Sequence, residues 1–232
     1  MEENYPVIRN MESESNVDSD YVRWQQARDA AWQDMLTRKA SFFGKWMWIL
    51  FLMIIPDTIC AIVKFELITE IIPWMNTLGT WLDLICTIVS GLILIKMSEK
   101  ESQYQIAGVF MIVINIINTA IDAFEVSENW SFFILLPTMV LGLIAIHNEY
   151  MAHASVMSGI DDAMAKKWRE LWTWYVRILL CLAGSIVLML IIPLLGLVVF
   201  SSTAIGFVVV LIVELVYLYR SAKICRGYLV EQ

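Results

Sequence analysis

The chain has 232 residues, 59% of them hydrophobic and 17% charged, with a net charge of −7 and a mean hydropathy of +0.67. Soluble domains hold about 45–50% apolar and about 25% charged residues, so this balance excludes an ordinary water-soluble globular domain. The apolar excess is segmented, which points to an all-α polytopic membrane protein: backbone groups in lipid must be satisfied within each helix, and the alternating pattern of a membrane barrel is absent.

Residues 1–17 hold Glu2, Glu3, Glu12 and Glu14 against one base, Arg9, with few apolar side chains. This is the composition of an acidic, disordered cytoplasmic tail. It lacks the basic start and apolar core of a signal peptide, so insertion is expected to rely on the first span. Over 18–42, Trp24, Ala27, Ala31 and Met35 recur at helical spacing beside Trp32, among Arg23, Arg28, Arg38 and Lys39. That pattern predicts an amphipathic helix on the cytoplasmic membrane surface.

Residues 43–232 are expected to form a six-helix transmembrane domain. Its windows are about 46–65, 78–97, 104–124, 130–150, 173–199 and 203–220, each near the roughly 17–25 residues that cross a hydrocarbon core. Fifteen of the sixteen Lys and Arg residues then fall on one side, which places both termini in the cytoplasm of an inner or plasma membrane. Lys64, the exception, sits at a span end and can snorkel. The opposite side carries Glu66, Glu70, Asp83, Asp122, Glu125 and Glu128.

The first span contains Pro56-Asp57. Proline removes a helix donor and leaves a carbonyl near Leu52 without its usual partner, beside a carboxyl near mid-membrane. The third span contains Asn115, Asn118, Thr119 and Asp122, which at about 100° per residue form one polar stripe. The sixth contains Glu214. Polar groups at this depth are costly and turn toward protein or water. Asp57, Asn115, Asn118, Asp122 and Glu214 are thus a candidate ion or proton pathway, with Asn115 or Asn118 expected within reach of Asp57 or Glu214. The competing reading is that these amides only bridge helices, at about 0.6 kcal/mol each.

At the end of the fourth span stands "IHNEYMAH", with the chain's two histidines, His147 and His153. Glu149 and His153 are spaced i, i+4, as metal ligands often are, but two ligands do not make a site and HExxH is absent. His147, Glu149 and His153 are therefore weak metal candidates, no metal or other cofactor is expected, and an ordinary helix-surface pair is expected. After Gly159, Asp161-Asp162 signals a helix start. Trp168, Leu171, Trp172 and Tyr175 follow at i, i+3, i+4 and i+7, expected to rest on anionic lipid. Pro193, Gly196 and Ser201-Ser202-Thr203 are expected to part the last two spans by a tight turn.

Cys60, Cys86, Cys181 and Cys225 show no metal spacing and are expected to be free thiols. There is no P-loop, nucleophile elbow, dinucleotide fingerprint or HExxH. The chain is therefore expected to be non-enzymatic and to act through membrane lipid, a membrane-protein partner or its own copies, without nucleic acid. The alternative is a small transporter or channel using the intramembrane acids and asparagines.

Overall fold

The computed structural model describes residues 8–64, 72, 74–124 and 128–228; the side chains of 8–20, 61, 122 and 128–132 are outside that description. The described residues are helical, without strands, and six helices are long and apolar enough to cross a membrane. The elements are α1 (Ile8–Leu52), α2 (Ile54–Val63), α3 (Trp74–Met97), α4 (Gln103–Ala123), α5 (Glu128–Met157), α6 (Asp162–Ile191) and α7 (Pro193–Gly227). Each helix packs on its neighbours in the chain, and α1 closes the ring against α7.

Helix α1 runs unbroken from within the acidic segment, at Ile8, through the surface segment and into the first span. Leu36, Ala40, Phe43 and Met47 form its buried stripe, at the i, i+4, i+7, i+11 spacing of one helix face. Trp24, Trp32 and Met35 are exposed. The helix stops at Leu52 and resumes at Ile54. Pro56 is the cause, since it withholds the N–H that would bond the Leu52 carbonyl. The break redirects the chain. Before it, Trp48 and Phe51 lie against Tyr219 of α7; after it, α2 packs on α3, with Cys60 Sγ 3.9 Å from Cys86 Sγ. Lys64 ion-pairs with Asp83 at 3.0 Å rather than reaching away from the bundle, and so supplies one acid with a partner.

Helices α3 and α4 meet backbone to backbone where Gly91 faces Gly108. A Cβ on Gly108 would stand 2.5 Å from the Gly91 carbonyl oxygen. Small residues permit this close approach, which brings dispersion and weak Cα–H···O contacts with it. Between α5 and α6, Gly159 turns the chain with φ +86°, a conformation glycine adopts without steric penalty. Asp161 then caps α6 by accepting from the Met164 N–H at 2.9 Å, as the sequence signal predicts.

Two expectations are corrected. The division between the last spans lies at Ile192–Pro193, not near residues 199–203: Ile192 is extended (φ −133°, ψ 85°) and Pro193 opens α7. Proline disfavours the helical conformation in the residue before it and suits a first helical position. Ser201, Ser202 and Thr203 lie inside α7, where Ser202 and Thr203 donate to the Val198 and Val199 carbonyls. Such back-bonding keeps these side chains compatible with a continuous helix. The second correction concerns α6. Trp168, Leu171 and Tyr175 are buried in the core, with Trp168 fully covered. Periodicity shows that a face is buried, but not whether lipid or protein covers it.

The principal core lies toward the end of the bundle where Gln33 of α1 meets Tyr228, whose Oη donates to Gln33 Oε1. We call this the terminal end. Phe43, Met97, Tyr104, Tyr150, Met157 and Trp168 converge there from α1, α3, α4, α5 and α6. The opposite halves of α6 and α7 expose Leu190, Ile191 and Leu194.

Candidate functional site: a polar cavity above an aromatic plug

One face of α4 carries Tyr104, Ala107, Met111, Asn115 and Asn118, four turns of a single stripe. One face of α5 carries Gly142, Ala145, Glu149 and His153. Where these faces meet, with Thr87 of α3, they line a cavity of about 310 Å³. Its polar side chains are Thr87, Asn115, Asn118 and Glu149; much of the remainder is apolar, including Met111 and Ile146. Asn115 Nδ2 donates to Thr87 Oγ1 at 2.8 Å, and Thr119 Oγ1 donates to Asn115 Oδ1 at 3.3 Å. The amide of Asn118 has no hydrogen-bond partner among the described residues and is exposed. Glu149, one-fifth exposed, points its carboxylate toward His153, with Oε1 3.8 Å from Nε2.

Below Glu149 the terminal end is plugged. Tyr104 Oη and His153 Nδ1 are 2.7 Å apart, and both residues are buried. With Glu149 facing Nε2, a proton there leaves Nδ1 to accept the Tyr104 hydroxyl. The His153 ring stacks on Trp168 with centroids 4.4 Å apart, and Trp168 Nε1 donates to Ser221 Oγ at 3.0 Å. Phe43 closes the plug from α1, 5.9 Å from the Tyr104 ring. Four helices, α4 to α7, therefore contribute to one connected polar and aromatic chain. Farther toward the terminal end, Lys39 Nζ donates to the Ser155 carbonyl at 2.9 Å, and Ser155 Oγ donates to Glu101.

The structure redistributes the residues singled out in the sequence. Asn115 and Asn118 share the cavity, and Asn115 pairs with Thr87 rather than with Asp57 or Glu214. Glu214 accepts instead from Tyr150 Oη at 2.7 Å. Asp57 is on α2, with Cys86 and Asp83 of α3 as its electrostatic neighbours. The pathway set is therefore divided among three places, and the side chain of Asp122 lies outside the described residues.

His147 and His153 also part company. His147 is exposed and set edge-on to Trp172 at 4.8 Å, while His153 is in the core. Among the described residues no group of three or more His, Cys, Asp and Glu gathers as metal ligands would. The expectation of an ordinary surface pair for Glu149 and His153 fails at His153, which is 2% exposed.

Sequence reasoning missed Tyr104, Thr87, Trp168 and Ser221 as parts of one assembly. One signal was present: extending the Asn118–Asn115 stripe back along α4 by whole turns leads to Tyr104, as extending Gly142–Glu149 leads to His153. Compared with family models, curated proteins and solved structures, the chain matches none.

Proposed function

We propose that this chain is a non-enzymatic multi-pass protein of an inner or plasma membrane, with both termini cytoplasmic, that acts by docking a partner protein on helix α1. One observation carries the reading: α1 is unbroken from Ile8 into the bundle and bears exposed Tyr21, Trp24, Trp32 and Met35. Its Trp32 and Leu36 border Gly159 in the turn between α5 and α6. The 24 residues from Ile8 to Ala31 precede that contact, about 36 Å of helix at 1.5 Å per residue. A helix lying in the membrane plane needs a bend where it joins a transmembrane segment. Without a break before Leu52, α1 projects its aromatic side chains beyond the bundle, where a partner helix can cover them. Arg28 over the Trp24 ring, 5.2 Å from its centroid, keeps that surface mixed in character.

The test places a bimane label at Trp24→Cys, with Cys181→Ser, in vesicles containing brominated lipid. The expected result is no quenching beyond that of a label at an exposed soluble site, together with protein cross-links from a photoreactive residue at position 24 in the native membrane. Strong quenching by the bromolipid refutes docking of protein and returns the helix to the lipid surface.

A further inference from the structure

The cavity between α4 and α5 has a second use that the docking of a partner on α1 does not require. We propose that it binds a small organic cation of the primary ammonium class, with Glu149 as counter-ion and Asn118 as an oxygen acceptor.

Charge, size and an accessible amide support this assignment. Among the described residues Glu149 is the only formally charged side chain lining the cavity, whose other polar groups are two amides and a hydroxyl. An anion would meet a carboxylate there and no cation to offset it. The volume of about 310 Å³ corresponds to roughly ten waters at about 30 Å³ each. That room suits a small organic molecule and is too wide to replace the hydration shell of a metal ion. The described residues also offer no third His, Cys, Asp or Glu to complete a metal set.

Asn115 is already engaged with Thr87 and Thr119, so its orientation is fixed. Asn118 is exposed and lines the cavity, so its amide oxygen is open to a ligand. An ammonium group donates up to three hydrogen bonds and accepts none. It matches a lining that presents a carboxylate and an open amide oxygen, while Met111 and Ile146 cover an alkyl tail.

The floor gives the site its character. Tyr104, His153 and Trp168 are buried and bonded to one another or to Ser221. The cavity is therefore a pocket closed toward the terminal end, and the geometry assigns it to binding rather than to conduction.

The experiment uses the full chain in lipid nanodiscs carrying Ile114→Cys, a lining position that leaves Glu149 and Asn118 intact, with Cys181→Ser; Cys60, Cys86 and Cys225 are buried. Labelling rates are measured with the trimethylammonium-ethyl and the sulfonato-ethyl methanethiosulfonates, with and without millimolar ethylammonium. A pocket of one charge sign changes local ion concentration by about tenfold or more. The cation-to-anion rate ratio should therefore fall about tenfold when Glu149→Gln is added, and hold when Glu214→Gln is added instead. Ethylammonium should slow labelling, and sodium at the same concentration should not. An unchanged ratio in Glu149→Gln, an equal fall in Glu214→Gln, or labelling indifferent to ethylammonium overturns the proposal, as does a thiol that no reagent reaches. If Glu149→Gln fails to fold, protection by ethylammonium in the protein with Glu149 intact decides alone. Neither arm involves α1, so failure of the pocket and failure of partner docking are read separately.

Discussion

Replacing Tyr104 by Phe tests the plug at its most connected point. Only the hydroxyl is lost, so the ring still packs near Phe43 and no void opens. What changes is His153 Nδ1, 2.7 Å from that hydroxyl and buried with it. An intramolecular hydrogen bond contributes about 1 kcal/mol net, and an orphaned buried partner costs about 1–3 kcal/mol. Tyr104→Phe is therefore expected to destabilise the bundle by about 1–3 kcal/mol. His153→Phe, which keeps a ring against Trp168, should cost a similar amount by orphaning the hydroxyl. The double variant removes both ends of the bond, so it should cost less than the sum, with a coupling of about 1 kcal/mol or more. Tyr219→Phe serves as a control, since Tyr219 is 40% exposed and keeps its ring contacts to Trp48 and Phe51. It should stay within about 0.5 kcal/mol. Equilibrium unfolding in mixed dodecylmaltoside and dodecyl sulfate micelles, followed by helical circular dichroism, measures all four proteins. A Tyr104→Phe variant within 0.5 kcal/mol of the parent by that criterion, or strict additivity in the double variant, would refute the idea that this bond holds the plug.

Gly108→Ala should destabilise the α3–α4 contact because its Cβ meets the Gly91 carbonyl, whereas Gly184→Ala, with nothing within 4 Å, should be neutral or stabilising by up to about 1 kcal/mol; unfolding in the same mixed micelles ranks the two. Copper-phenanthroline oxidation should join Cys60 to Cys86, whose sulfurs lie 3.9 Å apart, losing two protons and two electrons to the oxidant; peptide mapping that finds no such link contradicts the pairing of α2 with α3. Reversing the charge at Lys64 or Asp83 alone should lower stability, and exchanging the two should restore most of it, because the pair is 3.0 Å apart; the exposed setting limits the effect to about 1 kcal/mol.

Much of the architecture is local information and was legible in the residues. Six apolar stretches require six helices because lipid offers the backbone no other partner. Pro56 breaks its helix and Asp161 caps the next one through chemistry confined to a few neighbouring residues. Pro193 acted by the same local rule, and the turn was misplaced only because the polar Ser201–Thr203 cluster competed for it; hydroxyls that bond back to their own helix break nothing. The stripe of Asn115 and Asn118 was visible for the same reason, since helical period alone sets which residues share a face.

What each face meets is a different kind of information, because it depends on which helices are neighbours in the ring. The Trp168–Tyr175 stripe reads identically whether lipid or protein covers it, and only the packing of α6 between α5 and α7 places it in the core. Asn115 finds Thr87 because Gly91 and Gly108 draw α3 against α4. Glu214 finds Tyr150 rather than an asparagine because the described helices α4 and α7 are separated around the ring by α5 and α6. Glu149 gains its importance the same way: its i, i+4 relation to His153 was plain in the sequence, but its place between a polar cavity and a buried aromatic plug exists only once α4, α5, α6 and α7 are assembled. Helical periodicity fixes angles about one axis, whereas a site made from several axes depends on long-range packing that no single segment encodes.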